Sequence, residues 1–274
     1  MTNTDFRPLI AELDNWSTEP APATFWWRDD DAVAPSNELD SLLDIAHGRP
    51  LALATVPFYA SEALSRRIAN EPNVTIFQHG WKHQNHAAEG PNSEYPPGRP
   101  TDIVAREISD GSAKLSELFG GQFAPVFTPP WHGFDRAYLG LLMAAGLKGL
   151  SSKGRRAAAA DAGVVQNNIH CIPIEWSTPP GFGNPARYIG QLVNHLKRRR
   201  SGNDREEGTG ILTHHLVQTR ESLEFVRGVL DVITTHANAK LVHPCDLFFG
   251  DYAGLSDVDL MTVRRAPISP STTV

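Results

Sequence analysis

Cysteine is scarce. Only Cys171 and Cys245 occur in 274 residues, which excludes a disulfide scaffold, and two thiols in separate segments read as reduced, cytosolic cysteines. Long apolar runs are missing too: none approaches the roughly 20 residues that cross a bilayer. The start, MTNTDFRPLIAELDNW, has no basic segment leading into an apolar one, so no secretory signal is expected and a cytoplasmic location is. No G-x-G-x-x-G follows the first strand candidate, which disfavours a dinucleotide-binding sheet, and no G-x-S-x-G elbow is present. Positive charge is in short supply: 25 basic against 31 acidic residues give a net charge of -6. That argues against nucleic acid or an anionic membrane as a partner. The basic run Lys197-Arg198-Arg199-Arg200 reads as the solvated end of a helix entering a polar loop.

What is present has the composition of a globular protein, 41% hydrophobic and 20% charged. The expected organisation is one domain over 1–274, with a core from about 24 to 250, a loose Pro-rich approach over 1–23 and a loose tail over 251–274. Short apolar runs alternate with helical patterns. Strand candidates are 25–27, 51–56, 74–78, 123–129, 147–151, 170–176, 210–216 and 240–244. Helices are expected from Ser36, a good N-cap, with Leu39, Leu42, Leu43 and Ala46 on one face, and over 61–69, 101–119, 135–145, 185–199 and 219–236. In the 101–119 helix, Ile103, Ile108, Leu115 and Leu118 form the expected apolar stripe. About eight strands alternating with helices predict a parallel sheet with helices outside, most simply a closed or nearly closed β/α barrel. An open doubly wound sheet is the alternative.

In such barrels the active site lies at the C-terminal strand ends, and the polar residues gather there. The first strand ends in Arg28-Asp29-Asp30-Asp31, the third in Gln78-His79, a later one in Thr128 before Pro129-Pro130-Trp131-His132, another in Glu175-Trp176, and 210–216 in His214-His215. Three adjacent carboxylates repel one another and are not needed for folding; they read as a turn cluster or as a metal ligand beside a general base. Strand alternation puts Asp29 and Asp31 on one face and Asp30 on the other, although a strand that ends there need not keep it. His79 and His83, in HGWKHQNH, are spaced i, i+4, so one helical turn would aim both imidazoles at one Zn²⁺-like ion. His86 reads as a surface or supporting residue. Two His and one carboxylate leave positions open for water and substrate. Of His214 and His215, alternation points one into the site and the other away. Trp131 and Trp176 read either as pocket walls or as core.

These segments resemble the polysaccharide deacetylases, the NodB-homology domain. That family carries, in order, Thr-Phe-Asp-Asp-Gly, His-Thr/Ser-x-x-His, Arg-x-Pro-Tyr/Trp, an Asp/Trp segment and Leu-x-His, on a distorted (β/α)7-8 barrel. Here the matching stretches are Trp27-Arg28-Asp29-Asp30-Asp31-Ala32, His79-Gly80-Trp81-Lys82-His83, Pro129-Pro130-Trp131, Ile174-Glu175-Trp176 and Leu212-Thr213-His214. The resemblance spans 24 to about 245. It implies one divalent metal ion, Zn²⁺ ahead of Co²⁺ or Ni²⁺, held by Asp31, His79 and His83. It also implies Asp30 as general base, His214 as general acid, and Trp131 and Leu212 lining the acyl pocket with Glu175 and Trp176. The register could instead shift to Asp29-Asp30. Thr128 stands where the family has Arg, and Arg28 is the candidate to orient the base in its place. Glu175 replaces the family's Asp.

The implied reaction is hydrolysis of an acetyl group from an N-acetylated sugar or related small amide. Water activated by the metal attacks the amide, with an Asp base and a His acid. The implied partner is a small-molecule or saccharide substrate, and oligomeric state is open. The alternatives are an amidase or ureide-type hydrolase of the same superfamily, metal-free or not, and a non-catalytic ligand-binding relative.

Overall fold

The computed structural model describes residues 4–250; the tail expected over 251–274 lies outside them. In chain order the elements are α1 (Arg7–Asp14), β1 (Ala23–Ala32), α2 (Asn37–Ala46), β2 (Leu51–Thr55), α3 (Glu62–Ile68), β3 (Val74–His79), α4 (Thr101–Phe119), β4 (Phe123–Thr128) and α5 (Leu139–Ala144). They continue with β5 (Gly149–Leu150), β6 (Ala160–Asp161), β7 (Val164–Gln166), β8 (Ile169–Cys171), α6 (Pro185–Arg200), β9 (Thr209–Thr213), α7 (Arg220–Thr235), β10 (Ala239–Leu241) and α8 (Pro244–Phe249).

The strands form one ten-stranded sheet in the order β6-β7-β5-β4-β3-β2-β1-β9-β8, with β10 added beside β1. Every pairing is parallel except β6–β7. No ladder joins β5 to β8. The chain just after β5 reaches β8 instead, through Gly154 N–H to Ile169 O at 2.8 Å and Ile169 N–H to Ser152 O at 3.1 Å. The circuit β1-β2-β3-β4-β5-β8-β9 is therefore a distorted (β/α) barrel whose last seam is two backbone hydrogen bonds. No helix among the described residues is long and apolar enough to cross a membrane.

Alternation divides each strand between two cores. Trp26, Ala52, Ala54, Phe77, Val126 and Leu212 meet inside the barrel. Phe248 of α8 packs edge-on against Trp26 and Phe77, at centroid distances of 5.8 and 5.6 Å. Phe25, Trp27, Leu53 and Ile76 face the other way, against Leu39 and Leu42 of α2 and Leu115 of α4. On β1 the even positions are thus the inner ones, which settles where Arg28 and Asp30 point.

The expected elements are found with local differences. Ser36 caps α2 by accepting the Leu39 N–H. Ile108 and Leu115 of the stripe expected on α4 are buried, while Val104 and Phe119 take the places of Ile103 and Leu118. In the approach expected over 1–23, the described residues from 4 on include a packed helix: Leu9 and Leu13 of α1 are fully buried, and α1 packs on α6. The basic run is not simply solvated either. Arg199 is buried and donates to Thr24 O and Thr209 Oγ1 at 2.8 and 3.0 Å, tying α6 to β1 and β9, and Arg200 pairs with the buried Glu12. The 170–176 strand stops at Cys171, and β6 and β7 form a small hairpin between the 147–151 and 170–176 candidates. Cys171 and Cys245 form no disulfide.

Candidate active site

A cavity of about 840 Å³ opens at the C-terminal strand ends, lined by Asp30, Asp31, His79, His83, Trp131 and His214 among others. Asp30 arrives by simple alternation from β1. Asp31 should face away, but its φ of +74° returns its carboxylate to the inner side, at a bulge in the β1–β2 pairing. His83, Trp131 and His132 also hold positive φ, of 54°, 53° and 65°. Four of the seven non-glycine residues in this conformation among the described residues line this one cavity. Each such backbone costs about 1–3 kcal/mol, and that cost concentrates where function constrains the chain.

Asp31 Oδ1 lies 3.2 Å from His79 Nε2 and 3.3 Å from His83 Nε2. It is buried and no hydrogen-bond donor satisfies it. All three ligand atoms fall within 4.8 Å of one another. Tetrahedral bonds of about 2.0–2.1 Å to a Zn²⁺-like ion put neighbouring ligand atoms about 3.3–3.4 Å apart, so the donor set fits a metal. The tautomer fits as well. His79 Nδ1 faces Thr128 O at 2.9 Å, and the Thr128 hydroxyl is engaged with Gln78 O at 3.1 Å. The proton therefore sits on Nδ1 and the Nε2 lone pair faces the site.

A second group, His170, His195 and Glu207, has similar spacing but the opposite tautomers. Gly210 N–H donates to His170 Nδ1 at 3.1 Å, so the proton is on Nε2, aimed at Glu207 3.3 Å away. Arg199 donates to Thr209 Oγ1, leaving the Thr209 hydroxyl to donate to His195 Nδ1 at 2.9 Å; His195 Nε2–H then also faces Glu207. Burial lowers both histidines, His195 to about 4. This set is a hydrogen-bonded cradle for a carboxylate and does not fit a metal.

Next to the triad, Arg28 grips Asp30 through Nε–Oδ1 at 2.7 Å and Nη2–Oδ2 at 3.0 Å, with both side chains buried. Arg28 Nη1 donates to Ser151 Oγ at 2.6 Å. Burial pushes the Asp30 carboxyl up, but the Arg28 guanidinium, followed by His79 and His214, holds it below the usual carboxylate range. Burial likewise opposes ionisation of Asp31, and the facing His79, with His214 and His83, outweighs it, so this carboxyl also lies below the usual range.

The loop carrying His83 is held by Glu94. Its carboxylate accepts Trp81 N–H at 3.0 Å and Lys82 N–H at 2.7 Å. Gly80 permits this approach: at φ +58° its Cβ would lie 1.9 Å from Glu94 Oε2. His83 is thus presented by a clamped loop, not by a turn of helix as the i, i+4 spacing suggested.

Alternation sends His214 into the cavity and His215 out of it. Trp176 packs edge-on against His214 at 4.9 Å. His215 Nδ1 pairs with Asp29, and its backbone N–H donates to Asp29 Oδ2 at 3.0 Å. Asp29 is committed there, so the Asp29-Asp30 register does not match the cavity. Leu212 is fully buried in the inner core and does not line it, since an inward residue two positions below the strand end fills the barrel. Glu175 does not line it either. It faces Arg187 at 3.3 Å where β8 has already ended.

Sequence reading missed His132, Lys153 and Glu94. His132 lines the cavity, its Nδ1 is buried without a partner, and burial followed by Arg28 drives its pKa down to about 3. Its position beside Trp131 was the one available signal. Nothing local marks Lys153 or Glu94.

No protein-family model and no curated protein matches the chain. Solved structures do. A Mycobacterium smegmatis protein assigned to the polysaccharide deacetylases superposes with a TM-score of 0.60 over 94% of this chain and 98% of its own, at 16% identity. The chain has the polysaccharide deacetylase fold. The deacetylase fold is shared with a family 4 acetyl xylan esterase from Clostridium thermocellum in complex with a cobalt ion (TM-score 0.50, 17% identity, 82% and 89% covered). It is also shared with a pseudoenzyme of the CE4 family from Bacillus anthracis (TM-score 0.53, 11% identity, 84% and 66% covered).

Proposed function

We propose that the chain, acting as a single domain, is a metal-dependent hydrolase that removes an acetyl group from an N-acetylated sugar or related small amide. The observation that carries this reading is the convergence of Asp31, His79 and His83 at tetrahedral-edge spacing beside Asp30 and His214 in one cavity. Asp31, His79 and His83 would hold the metal. Bound there, it supplies Lewis-acid polarisation of the amide carbonyl and acidifies water.

The chain's own groups supply the rest. Asp30, kept ionised by Arg28, takes the proton from the attacking water. Arg28, itself fixed by Ser151, stands in for the family arginine and holds both oxygens of the base, leaving its free edge to the cavity. His214 gives a proton to the departing amine. Trp131 and Trp176 line the cavity and would flank the acyl group. Acetate and a free amine leave.

The experiment is metal content by mass spectrometry on untagged protein, together with turnover of a panel of N-acetylated sugars. One metal per chain, lost in His79→Ala and Asp31→Ala, with release of acetate, is the expected result. Absence of metal after incubation with Zn²⁺ and Co²⁺ removes the reading. Metal binding without release of acetate turns it into a binding protein.

A further inference from the structure

The cavity is larger than an acetamide needs, and its far wall carries charge that the hydrolysis does not use. That wall is built by the segment after β5, by β8 and by α6, which contribute Lys153, His170, Arg187 and Gln191. The proposed metal-ligand and base residues come instead from β1, the end of β3 and the loop that follows it.

Lys153 makes no ion pair or hydrogen bond among the described residues. Of the cavity's two carboxylates, Asp30 is held by Arg28, and Asp31 faces His79 and His83 in the group proposed to hold the metal. Arg187 has only a 3.3 Å contact with Glu175, both side chains being largely exposed. Gln191 Oε1 is buried on the same wall without a partner. His132 and His170 are neutral, lowered first by burial. With Asp31 neutralised by a divalent ion, the walls carry a net positive charge in a chain whose total is -6.

The lysine is not on a loose loop. On either side of it, Ser152 N–H donates to Asn168 Oδ1 at 2.8 Å, Ser152 Oγ–H to His132 O at 2.8 Å, and Gly154 N–H to Ile169 O at 2.8 Å. The barrel's seam therefore pins the backbone that carries Lys153. A cleft lined by one sign of charge concentrates ligands of the other.

We infer that this wall is an anion subsite, and that the substrate is an acidic N-acetylated sugar whose phosphate or carboxylate is met by Lys153. The inference rests on the proposed deacetylation for its reacting group, but the binding of the anion can be read separately.

The test compares neutral N-acetylglucosamine with its 6-phosphate, its 1-phosphate and N-acetylmuramic acid, on the zinc-loaded full chain. A charge-assisted contact predicts kcat/KM higher by about tenfold for an anionic sugar. The preference is expected to shrink with added salt, to collapse in Lys153→Ala and to persist in Lys153→Arg. Calorimetric binding of the same sugars to the Asp30→Asn protein reads affinity without turnover. Comparable kcat/KM and affinity for neutral and acidic sugars overturn the inference, as does a preference that survives Lys153→Ala. Lys153-dependent binding of an acidic sugar without any release of acetate by the wild type upholds the subsite and overturns the hydrolysis. Cleavage of the neutral sugar alone does the reverse.

Discussion

Arg28 and Asp30, two residues apart on one strand, form a buried two-point ion pair inside the barrel. Alternation sends both inward, so Arg28 is placed on the strand of the proposed base to take the role that the sequence resemblance gives to an arginine at position 128. Thr128, at that other position, serves His79 instead.

If Arg28 orients the base, Arg28→Ala lowers kcat by about a hundredfold or more. It also moves the acid limb of the pH–rate profile upward, because burial of Asp30 loses the largest charge that opposes it. Breaking a buried pair costs about 3–5 kcal/mol, so thermal unfolding is measured alongside. Unchanged turnover in a folded variant sinks the orienting role.

Glu94 would act on a metal held by His83 only through the loop it clamps. Glu94→Gln is expected to weaken zinc affinity by about 10–100-fold, read by competition with a chromophoric chelator. Since the carboxylate bonds only backbone N–H groups, Glu94→Asp should restore part of the loss.

The cradle of His170, His195 and Glu207 should take no metal. Zinc titration is expected to reach one ion per chain in both the wild type and His195→Ala. A second equivalent that disappears in His195→Ala contradicts the tautomers assigned from Gly210 and Thr209.

His214→Ala separates proton donation from metal binding. The metal stays, since the three ligand groups are elsewhere, while kcat falls by about 10²–10⁴-fold. A substrate with a leaving group that needs no protonation should recover most of the rate. Failure to recover it would assign His214 to substrate binding.

Behind the cavity, the pair of His215 and Asp29 makes stability depend on pH. Burial pulls His215 down, but the Asp29 carboxylate more than offsets it, and its pKa lies above the usual 6.5. A raised folded value means that the stabilisation is complete below about pH 6.5 and fades as pH rises through the folded value. The melting-temperature gap between wild type and His215→Gln should therefore narrow from pH 6 to pH 9. A gap that widens instead contradicts the pairing.

Much of the site was legible in the residues. His79, His214 and the Asp run stand at strand ends and His83 on the loop just after β3, and a β/α barrel gathers strand ends at one rim, so spacing and order place them together. Glu175 and Leu212 misled for one reason: matching a motif position does not fix where a strand stops. Here β8 ends four residues before Glu175, and Leu212 sits one inward position too deep.

Local pattern by itself determined the alternating elements, the caps such as Ser36 and the two-faced alternation of each strand, because periodicity and hydrogen-bonding chemistry act over a few residues. Tertiary structure decided what depends on contacts distant in sequence. The backbone flip that brings Asp31 beside Asp30, the carbonyl of Thr128 that sets the His79 tautomer, the Glu94 clamp under His83, and the seam that holds Lys153 at the cavity wall all join segments that only the closed barrel brings within reach.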